Sequence, residues 1–256
     1  MSAHQLPTTS PDRNYRKILG INFFVGQAHE AVRLGLRGGL MVAPAAPALV
    51  NLPQDSHYRQ AVSSADLAIT DSSFMVLLWN LTRKDNIIRV SGLEYLVLLL
   101  REFKKRGRGR LFFVMPTKEA AEKNIRWLQR QGISLGQYET YVAPKYSSQD
   151  MADPELLKLL EKKRPGQIII GLGGGTQEKL GLFLRRRLSY IPGIHCIGAA
   201  IGFLTGDQIR IPLWADQLYL GWFFRCLDKP GSFIPRYWTA TKLARMLAEH
   251  GDRIPQ

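Results

Sequence analysis

At 256 residues the chain is long enough for a sizeable core, as one large α/β domain or a domain with a smaller appendage, and its 45% hydrophobic share is ordinary for a soluble protein. No apolar run reaches the roughly 18 uninterrupted residues of a spanning helix, and Met1 to Arg16 lack the apolar core of a signal peptide, so a cytosolic protein is expected. The net charge of +14 is the outlier, and it points to an anionic partner: nucleic acid, a phospholipid surface or phosphorylated substrates.

Residues 1–15 are polar and proline-containing and read as a disordered N-terminus. From Lys17 short β-rich runs alternate with helical stretches, as a parallel sheet with crossover helices requires. Strands are predicted at Lys17–Phe24, Gly39–Val42, Leu67–Thr70, Arg110–Met115, Tyr138–Val142, Gln167–Leu172 and His195–Ala199. Helices are predicted at Gly26–Leu36, His57–Ser64, Ser73–Thr82, Leu93–Lys105, Thr117–Gln131, Pro154–Lys163 and Gln177–Leu188. Thr117 can cap a helix with Glu119 in its first turn, and Asp153-Pro154-Glu155 puts a cap, a first-turn proline and an acid in order. The pattern describes a Rossmann-like α/β domain over 16–206, a mostly parallel sheet with helices on both faces, whose ligands bind beyond the carboxyl ends of the strands.

The tail, 207–256, reads as a helical appendage. Trp214, Leu218, Trp222 and Phe223 can share one helical face, with Arg210, Arg225, Lys229, Arg236, Lys242 and Arg245 beside it. Aromatic and basic residues together suit an interfacial membrane segment, although the aromatics equally suit a cover for the core.

Cys196 and Cys226 sit in apolar surroundings without a CxxC spacing, and the five histidines show no HxxxH or HxH grouping, so neither a disulfide framework nor a metal centre is expected. Basic side chains cluster at Arg101, Lys104, Lys105, Arg106, Arg108 and Arg110, and at Arg185-Arg186-Arg187. The first block reads equally as a solvated helix end, where cations are favoured. No RNP pattern, GXXG clamp, zinc finger or clear helix-turn-helix accompanies the charge, so nucleic acid is not the expected partner.

Two segments carry chemistry. The strand Gln167–Ile170 runs into Gly171-Leu172-Gly173-Gly174-Gly175-Thr176-Gln177-Glu178-Lys179 and then a helix. Such a turn brings backbone N–H groups close to a phosphate, yet it is neither a Walker loop nor a dinucleotide fingerprint, and a tight turn alone also explains it. Asp71 stands just past an apolar strand and before a helix. A carboxylate there can accept a proton from an attacking sugar hydroxyl, or simply cap the helix.

Together these segments resemble a known family. Ala65-Asp66-Leu67-Ala68-Ile69-Thr70-Asp71, with Ile88-Arg89-Val90-Ser91-Gly92, is similar to the "ADLVLPDG … ERVTG" block of the WecG/TagA/CpsF glycosyltransferases. Gly171 to Lys179 resembles their "GLGxPKQE" turn. Ile197-Gly198-Ala199-Ala200, with Phe203, Gly206, Arg210, Pro212, Leu220, Trp222, Arg225 and Pro230, resembles the downstream signature, and the likeness covers about residues 17–236.

The resemblance implies an inverting transfer of a sugar from a UDP-sugar to a polyprenyl-diphosphate-linked saccharide, in exopolysaccharide, capsule or teichoic-acid type synthesis, without an essential metal or other cofactor. Asp71 matches the family's general base, and Arg89 and Gln177 match pocket residues. Ser72, Gly171, Gly173 and Glu178 join the expected substrate or nucleotide site, and Arg210 and Arg225 would meet the diphosphate. The tail is similar to the part that docks on the membrane, so the expected location is the cytoplasmic membrane face, on an anionic surface; self-association is compatible with it.

The departures fall in the site. The family's "TPN" turn is Ala43-Pro44-Ala45, the glycine after the acid is Ser72, and acids of the "FDF" and "LEW" segments are Gly202 and Gly221. These changes leave a second expectation open, a non-catalytic binding subunit of a polysaccharide-assembly complex.

Overall fold

The computed structural model describes residues 14–106, 110–133, 138–147, 150–198, 200–206, 227, 231, 238 and 241–255. Among them an eight-stranded sheet forms from β1 (Tyr15–Ile18), β2 (Ile21–Phe24), β3 (Gly39–Val42), β4 (Leu67–Ile69), β5 (Leu111–Met115), β6 (Tyr138–Val142), β7 (Gln167–Ile170) and β8 (Gly193–Cys196). Its order is β1-β2-β4-β3-β8-β7-β5-β6, parallel throughout except for the β1–β2 pair. Central strands buried on both faces need continuous apolar sequence, and Ile168-Ile169-Ile170 of β7 are fully buried.

The helices are α1 (Ala28–Gly35), α2 (Ala46–Leu49), α3 (Ser56–Ser63), α4 (Ser73–Arg83), α5 (Gly92–Arg106), α6 (Lys118–Arg130), α7 (Pro154–Lys163), α8 (Thr176–Arg187), α9 (Ala200–Thr205) and α10 (Lys242–His250). They divide between two cores. Met75, Val76 and Trp79 of α4 join buried residues of α2, α3, α7, α8 and α10 on one face of the sheet. On the other, α1, α5, α6 and α9 bury residues such as Val32, Tyr95, Leu128 and Ile201. The expected Rossmann-like α/β architecture is therefore the one observed.

The expected caps hold. The Thr117 hydroxyl accepts from the Ala120 N–H at 3.2 Å, and the Asp153 carboxylate accepts from Leu156 N–H at 2.9 Å. Two strands need correction. Lys17–Phe24 is not one strand but the hairpin β1–β2, turning at Leu19 (φ 48°) and Gly20 (φ 77°). The last strand is Gly193–Cys196 rather than His195–Ala199, because Gly193 begins the parallel pairing with both Gly39 and Gln167.

The end of the chain returns to the body. Leu243, Met246 and Leu247 of α10 are buried with α4, and the hairpin turn bonds residues just beyond α10: Leu19 N–H to Gly251 O at 2.8 Å and Gly20 N–H to Asp252 O at 3.0 Å. Most of 207–240, with the tail aromatics Trp214, Trp222 and Phe223, lies outside the described residues.

Beneath the sheet core, His195 is completely buried between Tyr95, whose hydroxyl lies 3.0 Å from Nδ1, and Gln167, whose Oε1 lies 2.7 Å from Nε2. An amide oxygen can only accept, so Nε2 carries the proton and Nδ1 accepts from the tyrosine. Burial holds this imidazole down at about 3. The unfolded chain, with an ordinary histidine near ~6.5, then binds a proton the fold excludes. Stability from this group is fully present above that unfolded value and is lost as pH falls toward the folded one. Urea unfolding should show a loss of about 2 kcal/mol between pH ~6.5 and ~5, a slope that His195→Asn removes even though the variant is less stable overall. Because the raised Glu178 carboxyl contributes in the opposite direction, the wild-type and His195→Asn profiles are compared, and identical pH dependence over that window would mean the imidazole is not held neutral.

Candidate active site

Parallel strands bring their carboxyl ends to one edge, and the chemistry-bearing residues gather there. Asp71 follows β4, Ala43-Pro44-Ala45 follows β3, Gly198 follows β8, and the glycine turn follows β7. β3 continues into α2 on one face while β8 continues into α9 on the other. The crevice between β3 and β8 is thus the topological switch point, where ligands of such sheets bind. Asp71 and the glycine turn flank it about 14 Å apart, three strand spacings.

Two alternatives existed for Asp71, and the helix cap goes to its neighbour. The Ser72 hydroxyl accepts from the Met75 N–H at 3.2 Å and starts α4. That leaves the Asp71 carboxylate free to reach across to α5: Oδ1 accepts from Gly92 N–H at 2.8 Å, at a helix N-terminus that favours negative charge. Arg89 braces the same residue, with Nε donating to the Asp71 carbonyl at 2.8 Å and Nη2 lying 3.6 Å from Oδ1. The Asp71 side chain remains 29% exposed, and its Oδ2 has no hydrogen-bond partner among the described residues. Thr70 fixes the segment carrying Arg89, since its hydroxyl donates to Ile88 O at 2.9 Å and accepts from Val90 N–H at 3.0 Å.

On the opposite flank Gly173 and Gly174 are exposed and Gly175 turns the chain at φ 92°, a conformation favouring glycine. Gly171 is buried, its N–H committed to Val114 O at 2.9 Å, so it shapes the turn from inside the sheet. Gln177 is 2% exposed and Glu178 wholly buried. The Gly198 N–H donates to Gln177 Oε1 at 2.6 Å, Gln177 Nε2 donates to Glu178 Oε1 at 3.0 Å, and Gly175 N–H donates to Glu178 Oε2 at 2.7 Å. Two loops of the crevice are thereby tied together from below. Burial raises the Glu178 carboxyl against the lowering effect of these donors, and the same burial pushes up Cys196 and Tyr58, both further raised by Glu178. Beside them Lys179 pairs with Asp55 at 2.9 Å, and this bond, with that from Tyr58 N–H, outweighs partial burial and leaves the aspartate below its ordinary value.

The structure therefore brings Asp71, Ser72 and Arg89 together at one flank and Gly171, Gly173, Gln177 and Glu178 at the other; Arg210 and Arg225 lie outside the described residues. Sequence reasoning did not single out the Gly92 N–H, the Thr70 hydroxyl or the Gly198 N–H as parts of the site. Thr70, Gly92 and Gly198 nevertheless stand inside the segments that resemble the family, which was the signal for them. A separate concavity of about 600 Å³ lies between β6 and the start of α7, where Asp153 is already engaged by the hydroxyls of Tyr141 and Tyr146. Among the described residues no group of three or more His, Cys, Asp or Glu side chains could hold a metal ion, and no helix is long and apolar enough to cross a membrane.

The sequence profile of the glycosyl transferase WecG/TagA/CpsF family matches residues 16–253. Two relatives carry the name N-acetylglucosaminyldiphosphoundecaprenol N-acetyl-beta-D-mannosaminyltransferase. That of Bacillus spizizenii is 25% identical over 197 residues, covering 73% of this chain and 72% of the relative. That of Bacillus subtilis is 24% identical over 192 residues, covering 72% and 71%. With the match running from the first strand past the last helix, and with the acid, the arginine and the glycine turn gathered at one sheet edge, the chain belongs to the WecG/TagA/CpsF family of glycosyltransferases.

Proposed function

We propose that the protein transfers a sugar from a UDP-sugar to a polyprenyl-diphosphate-linked saccharide during cell-surface polysaccharide synthesis, working on the cytoplasmic membrane face. The observation that carries the mechanism is the Asp71 carboxylate, held through Oδ1 by Gly92 N–H at the mouth of α5, with Oδ2 unpartnered among the described residues. In a single displacement Asp71 takes the proton of the acceptor hydroxyl as that oxygen bonds to the anomeric carbon, and the bond from that carbon to UDP breaks with its electrons leaving on the diphosphate. Inversion follows from one in-line step. Charge on the departing UDP falls to the exposed glycine turn at the start of α8 and, in this reading, to Arg210 and Arg225, with no metal required.

Ala43, Pro44 and Ala45 stand at the switch point, where the family pattern has threonine and asparagine. Each neutral hydrogen bond missing there weakens a shared substrate by about 0.5–1.5 kcal/mol, which favours a donor or acceptor different from those of the relatives. A panel of UDP-sugars including UDP-N-acetylmannosamine, offered with N-acetylglucosaminyl-diphospho-polyprenol and other lipid-linked saccharides, tests the reading. Acceptor-dependent UDP release with one donor is the expected result. Silence across the panel, with vesicle binding retained, favours the non-catalytic subunit that the altered crevice floor also suits.

A further inference from the structure

Helix α4 has the composition of a buried helix and the position of a surface one. Before Arg83 its polar residues are Ser73, Asn80 and Thr82. Met75, Val76 and Trp79 face the core, yet Leu77 is 57% and Leu81 75% exposed, one turn apart on the outer face. Phe74 and Leu78 are half-buried beside them, continuing the apolar sector. Both side-chain amide atoms of Asn80 bond the backbone of Ile87, each at 2.9 Å, which ties the returning chain to α4, and the next residue, Ile88, is 39% exposed. Soluble proteins seldom leave contiguous leucines uncovered without a partner.

The charges around the patch select the partner. Arg83 and Lys84 close the helix, both exposed, and the nearby Asp85 carboxylate is already neutralised by Arg16 at 2.8 Å. Arg83 lies over the Trp79 ring and donates to Leu247 O, which anchors that cation between α4 and α10. Leucines bordered by cations match the interface of an anionic bilayer, where apolar side chains enter and cations meet headgroups.

We infer that the outer face of α4, through Leu77, Leu81 and Ile88, seats on an anionic membrane surface and sets the depth of Asp71 against it. α4 begins one residue after Asp71 at its Ser72 cap and extends about 16 Å from it, and Ile88 immediately precedes Arg89. A helix lying in the interface buries its apolar face by roughly 5–10 Å, which leaves the start of α4 at headgroup level, where a membrane-anchored diphosphate would stand. The inference extends the proposed membrane-borne acceptor and adds a contact within the α/β body to the one expected of the tail.

The test is sedimentation with vesicles of phosphatidylglycerol and phosphatidylethanolamine, without any sugar substrate, for the wild type, Leu77→Glu/Leu81→Glu and the milder Leu77→Ser/Leu81→Ser. Wild-type protein should sediment with these vesicles and far less with phosphatidylcholine alone, and the glutamate pair should lower partitioning by about tenfold or more per leucine. Thermal melting and transfer to a water-soluble short-chain acceptor should be unchanged, since neither side chain lines the crevice. Equal partitioning of wild type and both variants overturns the inference. So does a change in molar mass by light scattering with partitioning unaltered, which would make the face a contact between copies of the chain. Vesicle binding through α4 by a protein that transfers no sugar keeps this inference and removes the proposed function instead.

Discussion

Asp71→Asn should lower sugar transfer by about 10²–10⁴-fold while leaving UDP binding and thermal stability close to wild type. The substitution is informative because of what it preserves. Gly92 N–H needs an acceptor, and an asparagine oxygen supplies one in the place of Oδ1. The Arg89 bond to the residue 71 carbonyl does not involve the side chain at all, so the link between the end of β4 and residues 88–90 survives. What disappears is the capacity of the side chain to take a proton at Oδ2. The modest ion pair with Arg89, 3.6 Å long and partly solvated, is lost too, at a cost of about 1 kcal/mol or less. Steady-state rates with a fixed donor and acceptor, alongside calorimetric UDP titration, separate the two effects. A variant transferring at the wild-type rate would remove Asp71 from the role of base; a variant that no longer folds would show the carboxylate to be structural.

The same residue shows what a sequence can and cannot convey. Its place after an apolar strand was legible from period and composition, as were β3, β6 and α7, whose predicted and observed limits coincide. That Ser72 rather than Asp71 caps α4 was not legible, because both residues are good caps and only the approach of α5 decides between them. The β1–β2 hairpin was hidden for a different reason. Its turn puts Leu19, a residue with a Cβ, at φ 48°, held by the Gly251 carbonyl from the far end of the chain, so no local turn signal beyond Gly20 marks it. The short helix α2, opening on Ala46-Pro47, offers too few residues for any period to emerge. The exposed face of α4 was invisible in principle, since its leucines read as core until three-dimensional packing leaves them outside.

Gln177→Met should destabilise the protein by about 2–5 kcal/mol in chemical denaturation, although methionine nearly matches glutamine in length and the position is 2% exposed. An apolar side chain would ordinarily suit such a place. Here the amide stands between a donor and an acceptor: its oxygen takes Gly198 N–H and its nitrogen serves Glu178, so the substitution strands two buried groups at once. One of them is a carboxylate with the Gly175 N–H as its remaining short bond in this chain of contacts. Burial already raises the Glu178 carboxyl, and Gln177 is the first of the groups opposing that rise. Removing the amide lifts it further, so the variant takes up a proton in the folded state at higher pH than the wild type. The stability deficit is therefore largest at high pH and narrows as pH falls toward the raised titration of Glu178, because the protonated carboxyl loses less from the missing donor. A deficit that stays constant with pH would separate Gln177 from Glu178. Because Gly198 and Gly175 sit at the ends of β8 and β7, the two loops they belong to should also loosen together, and the donor KM should rise more than kcat falls. A rise in KM without any loss of stability would instead mean that Gln177 meets the nucleotide directly.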